Sequence, residues 1–228
     1  MPPFLKLTDR DTDILEVLLE CVPLLSIDQI ARTWWKRRRR AQEAAHGRLR
    51  LLEREAFVDL CVVVASPPEL LPEDPHVVWR PGDPCPDHWS LRQYAREYPG
   101  GPLVEIPCVV LSEGGARLLS PAPEIRPRVQ TWDDGSYSLR LAELYLRLQA
   151  RSPSVASTWR HRERTRRSNE LSVPVARVRS RGRFQTLDVF SPNLDTPDPD
   201  PGLDEGTRLE WLHSHCLRFG IPYAWWGY

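Results

Sequence analysis

At 228 residues the chain is long enough for one large domain or two small ones, each with a core of its own. Lys and Arg together number 31 and Asp and Glu number 31, so the net charge is zero and names no class of partner. No apolar run approaches the roughly 18 residues of a membrane-spanning helix, so no membrane partner is expected.

Met1-Pro2-Pro3-Phe4 leads straight into charged sequence, so no secretory leader is expected. The five scattered cysteines (Cys21, Cys61, Cys85, Cys108 and Cys216) then read as reduced thiols of a cytoplasmic protein. Charge is unevenly distributed. Lys36, Arg37, Arg38, Arg39, Arg40, Arg48, Arg50 and Arg54 meet only Glu43 and Glu53 between residues 36 and 54. Between 151 and 183, arginines outnumber the two acids Glu163 and Glu170 several-fold. Two basic blocks in an otherwise acidic chain point to a polyanion met at defined surfaces.

In chain order, Thr8 with Asp11 three residues on forms a capping box and opens a helix to about Cys21. Ile14, Leu15, Leu18 and Leu19 give it one apolar face, and Pro23 ends it. Ser26 and Gln29 form a second capping box for a short helix through Ile30, Ala31 and Trp34. A third helix is predicted over 37–55, with Ala41, Ala45, Leu49 and Leu52 inward. The β-branched run to Val64 reads as a strand, and 103–111 as a second, followed by a short helix over 112–119. Between the strands lies a Pro-rich insert, 65–102, expected either to carry a short helix (89–97) or to be a mobile segment. Pro121, Pro123 and Pro127 mark a linker. Beyond it the pattern predicts a helix (138–151) with Leu141, Leu144, Tyr145 and Leu148 on one face, and strands at 173–178 and 184–190. A polar loop (192–206), a helix (207–219) and a strand (222–226) complete the chain.

The fold class expected is α+β, an N-terminal winged helix-turn-helix followed by a small mixed α/β C-terminal domain. The domain boundaries expected are 1–120, including the insert, and 130–228. In a helix-turn-helix the third helix enters the major groove with its N-terminal residues first. That places Lys36, Arg37, Arg38, Arg39, Arg40, Glu43, Gly47 and Arg50 on a double-stranded DNA surface. Gly47 costs about 1 kcal/mol relative to Ala in a helix interior and would let a phosphate or backbone approach. Arg160, Arg162, Arg164, Arg166 and Arg167 form a possible second nucleic-acid surface, with a solvated face as the alternative.

The stretches Leu7-Thr8-Asp9-Arg10-Asp11, Leu25-Ser26-Ile27-Asp28-Gln29-Ile30-Ala31 and Arg48-Leu49-Arg50-Leu51-Leu52-Glu53-Arg54-Glu55-Ala56-Phe57-Val58 resemble bacterial winged-helix proteins of the replication-relaxation type. Val110-Leu111-Ser112-Glu113-Gly114-Gly115-Ala116-Arg117-Leu118-Leu119 is similar to that family's strand-to-helix step. The resemblance covers 7–64 and 103–119 and implies DNA-linked regulation or processing of mobile or replicating elements. The long insert departs from a short wing.

Enzyme chemistry is weakly represented. Cys85 and His88, His213 and Cys216, with Cys108, are the thiol and imidazole groups a zinc site would draw on, but neither pair is a CxxC, and unliganded residues are expected. The C-terminal order of elements is compatible with a restriction-endonuclease-like domain, with Asp188 as its first acid. No acid-x-Lys follows, since Lys6 and Lys36 are the only lysines. There is no Gly-x-Ser-x-Gly elbow, and Gly114-Gly115 is not a phosphate loop. The expectation is therefore a non-enzymatic DNA-binding protein without metal or cofactor, acting as a homodimer, with other proteins of a DNA-processing complex as further partners. The alternatives are a nuclease or catalytically dead nuclease-like subunit, and a protein-interaction adaptor.

Overall fold

A computed structural model describes residues 5–36, 39–87, 102–120, 135–161, 176–180, 183–189, 210, 212–214, 216–218 and 220–226. Arg37 and Arg38, the helix expected over 89–97, the linker prolines, residues 162–170 and the loop 192–206 lie outside the described residues. The protein is mixed α+β with two sheets, and its contacts divide it into two compact units.

The first unit comprises Met1–Ala65 and Leu103–Ala142. Helix α1 (Asp9–Glu20) opens on the expected capping box, Thr8 Oγ1 accepting from Asp11 N while Asp11 accepts from Thr8 N. Strand β1 (Leu25–Ser26) runs straight into α2 (Ile27–Trp34), whose capping box is again the expected one, Ser26 with Gln29. Helix α3 (Ala41–Arg54) buries Ala45, Leu49 and Leu52. It ends with Ala56 in the left-handed region (φ 59°), Ala56 N bonding Glu53 O and Phe57 N bonding Leu52 O. That is the Schellman closure, here made without its usual glycine. Strands β2 (Val58–Ala65) and β4 (Val104–Leu111) pair antiparallel along their length, and β1 adds to the other edge of β4. The sheet order is β1-β4-β2.

The strand alternation assigns two faces. Val58, Val109 and Leu111 are buried on one, and Val63, Ala65, Cys108 and Val110 pack with Leu24 and Leu139 on the other. Leu139 comes from the first half of helix α5 (Gly135–Arg151). Gly135 opens that helix because a Cβ there would fall on Val63 Cγ1. Gln29 Nε2 donates to Leu139 O at 2.9 Å, so the residue that closes the α2 capping box also holds α5 in place. Helix α4 (Glu113–Leu119) docks its first turn on the α3–β2 turn. Ser112 Oγ donates to Ala56 O, and Cβ atoms on Gly114 and Gly115 would strike the Ala56 and Phe57 carbonyls. The Gly114-Gly115 pair is a close-packing requirement.

The second unit comprises Ser66–Pro102 and Glu143–Tyr228. Its five-stranded sheet has the order β3-β8-β7-β6-β5, from β3 (Val77–Trp79), β5 (Arg160–His161), β6 (Ala176–Ser180), β7 (Arg183–Val189) and β8 (Tyr223–Trp226). β5, β6 and β7 are antiparallel neighbours, and β7 pairs β8 in parallel after helical residues 212–214 and 216–218. Short helix α6 (Pro153–Ala156) follows α5. Trp79, Leu212, Cys216, Tyr223 and Trp225 form one apolar cluster, and Tyr145 meets Trp159 edge-on at 5.3 Å. Among the described residues no helix is long and apolar enough to cross a membrane.

One expectation changes here. Chain order places the insert in the first domain, but its β3 strand pairs β8 in the second unit, so that unit is discontinuous in sequence. Of the apolar face Leu141, Leu144, Tyr145 and Leu148, the first three are buried and Leu148 is half-buried, and Trp225 and Trp226 are buried too.

Candidate nucleic-acid interface

The basic block beginning at Lys36 sits where α2 passes into α3. Trp35, the last anchor of α2, is buried, and the Arg10 guanidinium lies 4.3 Å above its ring. Lys36 follows at the surface, and Arg39 and Arg40 are exposed. The third helix starts at Ala41, four residues later than the apolar period suggested, with Arg40 as its N-cap and no side-chain cap bond. Arg39 and Arg40 therefore belong to the turn before the helix. Four consecutive long cationic side chains offer no capping oxygen, so the helix waits for the first alanine.

On α3 itself Glu43, Gly47, Arg50 and Arg54 are exposed at spacings of four, three and four, one outward stripe. Gly47 has nothing within 4 Å of the position a Cβ would take, so internal packing does not require it. Arg40 and Glu43 form a 3.5 Å ion pair with both side chains more than two-thirds exposed, an interaction of little energetic weight. Gln42 Nε2 donates to Asp28 Oδ1 at 2.8 Å, a bond from α3 to α2, and Arg32 Nε, within α2, donates to Asp28 Oδ2 at 3.2 Å.

Among the described residues of this block, Arg48 is committed elsewhere. Arg48 Nε and Nη2 donate to Asp11 Oδ1 and Oδ2 at 3.0 and 2.6 Å, and Nη2 also reaches Lys6 O. The Asp11 side chain is 1% exposed and that of Arg48 20%. Burial by itself would raise the Asp11 carboxyl. The bonds it accepts from Arg48 and Thr8 outweigh that and hold it below its ordinary value, while the bond to Asp11 holds the Arg48 guanidinium up. The capping acid of α1 is thus also the clamp on α3, a contact between residues 37 apart that helical periodicity does not report. Thr8, Arg10, Asp11, Trp35, Ala44 and Arg48 line a cavity of about 200 Å³. That is less than the ~300–1,000 Å³ of small-molecule sites.

The remaining candidates do not assemble. Arg160 lies on β5, and Arg162, Arg164, Arg166 and Arg167 are outside the described residues. His213 Nδ1 lies 3.3 Å from Tyr223 Oη, and Trp79 meets the His213 ring edge-on at 5.0 Å. His88 is outside the described residues. Among those described, no three His, Cys, Asp or Glu side chains gather where a metal ion could be held. None of the five cysteines is in a disulfide. Burial pushes Cys61 and Cys108 up, Asp59 adding to the first, which disfavours the nucleophilic thiolate. Asp188 lies on β7 opposite Trp225 of β8.

No protein-family model, curated protein or solved structure matches the chain.

Proposed function

We propose that the first unit is a winged helix-turn-helix that binds double-stranded DNA through the α2–α3 turn and the outer stripe of α3. The observation that carries the reading is connectivity: three helices with a short β1 between the first two, then β2 and β4, in the sheet order β1-β4-β2. The exposure of Lys36, Arg39, Arg40 and Arg50 on one stretch of that unit, with Arg48 withdrawn from it, supports a phosphate-binding surface. Arg39 and Arg40, placed ahead of the helix, suit phosphate contacts. Glu43 and Arg50, on the helix, suit base edges. The function proposed is regulation, or the processing of mobile or replicating DNA.

The test is fluorescence anisotropy with duplex DNA across a salt series. Replacing Arg39, Arg40 and Arg50 together with Ala should weaken binding well over tenfold and make log K against log salt shallower by about two to three. Unchanged affinity in a variant that still unfolds at the native urea midpoint removes the reading.

A second reading concerns the second unit. The order of the second half of α5, antiparallel β5, β6 and β7, a helix, and β8 parallel to β7 is compatible with a restriction-endonuclease-like core. Without an acid-x-Lys the unit would serve as a non-catalytic, nuclease-derived part of a DNA-processing complex. Incubation with supercoiled plasmid and Mg²⁺ or Mn²⁺ should give no nicking. Nicking that Asp188→Ala abolishes would establish a working nuclease in its place.

A further inference from the structure

With most of the α5 face and the C-terminal aromatics buried, the largest exposed apolar side chains of the first unit include Val62 (61% exposed) and Val64 (50%), both on β2. Among the described residues β2 is an edge strand, the sheet order giving its outer side no neighbouring strand. Leu60 N donates to Glu53 Oε1 at 3.1 Å and so points away from β4. By the alternation of antiparallel ladders, the N–H groups of Val62 and Val64 point the same outward way. Glu53 closes one end of the edge and leaves the other open. Natural edge strands are normally blunted by charge, proline or a bulge; Val62–Ala65 carries none of them, the prolines Pro67 and Pro68 lying beyond the strand.

We propose that β2 pairs with β2 of a second copy, joining two three-stranded sheets into one six-stranded sheet across a two-fold axis at Val63. The occupant follows from the strand's own symmetry. With Val63 opposite its counterpart, Val62 faces the second copy's Val64 and Val64 faces its Val62. The two outward N–H groups of each strand then meet two outward carbonyls, and four hydrogen bonds close. Cys61 faces Ala65, so every facing pair from 61 to 65 is apolar, and Asp59 is kept off the axis. A register centred on Cys61 would need the Leu60 N–H that Glu53 already occupies. Registers that need the Leu60 N–H are therefore disfavoured, and the one centred on Val63 pairs both open N–H groups of each strand. The β-branched pairs on the exposed face supply the side-chain contact. A contact of this length buries less than a standard interface, so the dimer is a reversible one.

The pairing can be tested without DNA, so its outcome is separate from that of DNA binding. Sedimentation velocity of the full chain from low to high micromolar should show a monomer becoming a dimer. Val62→Lys with Val64→Lys should leave a monomer throughout, with the urea midpoint unchanged because both side chains are exposed. In the native chain the Val62 and Val64 amides should gain hydrogen-exchange protection as concentration rises. A native monomer over the whole range, a dimer that survives both lysines, or a dimer whose Val62 and Val64 amides stay unprotected would each overturn the proposal.

Discussion

Arg48 and Arg50 are two residues apart on one helix and have opposite fates. Arg48 turns inward to Asp11, where two short bonds tie α3 to the first turn of α1. Arg50, like Arg39 and Arg40 in the preceding turn, stands in solvent. The difference teaches that charge density along a chain does not measure the charge available to a partner. Among the described residues of the basic block Arg48 is spent on architecture, and the exposed ones are expected to cost the fold little to change.

The comparison can be broken at its strongest point first. Arg48→Ala leaves the Asp11 carboxylate buried with only Thr8, and breaking a buried pair costs about 3 kcal/mol or more. Urea unfolding should show that loss. A cost under about 1 kcal/mol would mean that Arg48 is as free as Arg50. The Arg39, Arg40 and Arg50 triple variant should do the reverse, leaving the unfolding curve within about 0.5 kcal/mol while DNA affinity falls.

Acid gives a sharper view of the same clamp. Because the folded Asp11 carboxyl lies below its unfolded value, its contribution is fully present above that unfolded value and is lost as pH falls through the folded one. The stability gap between native protein and Asp11→Asn should therefore be flat at neutral pH and close below about pH 4. A gap that stays constant down to pH 2 would remove the charge from the account.

The smallest effect is expected at Gly47. With open space around it, Gly47→Ala should raise stability by about 1 kcal/mol. A simultaneous fall in duplex affinity would show that the glycine makes room for DNA. Unaltered affinity would leave it a tolerated defect of an exposed face.

Local signals were legible wherever they act within a few residues. Both capping boxes, three of the four inward residues of α3 (Ala45, Leu49 and Leu52, with Ala41 only half-buried) and the strands on either side of the insert could be read because helix and strand periods are properties of the sequence itself. The start of α3 was misplaced because an unbroken run of arginines satisfies helix propensity while supplying no cap. β3 was missed because three residues among prolines carry almost no period.

By itself, then, the sequence determined the capped helices, the basic block and the main strand-forming runs, all consequences of short-range backbone preference. Only tertiary structure decided the rest. It gave the insert to the second unit by pairing β3 with β8, buried most of the α5 face and the C-terminal tryptophans, turned Arg48 away from solvent, and left β2 as an edge among the described residues. Each of these depends on partners brought together across tens of residues. Which hydrogen bonds and apolar surfaces find one another at that range is settled by packing, and no local period records it.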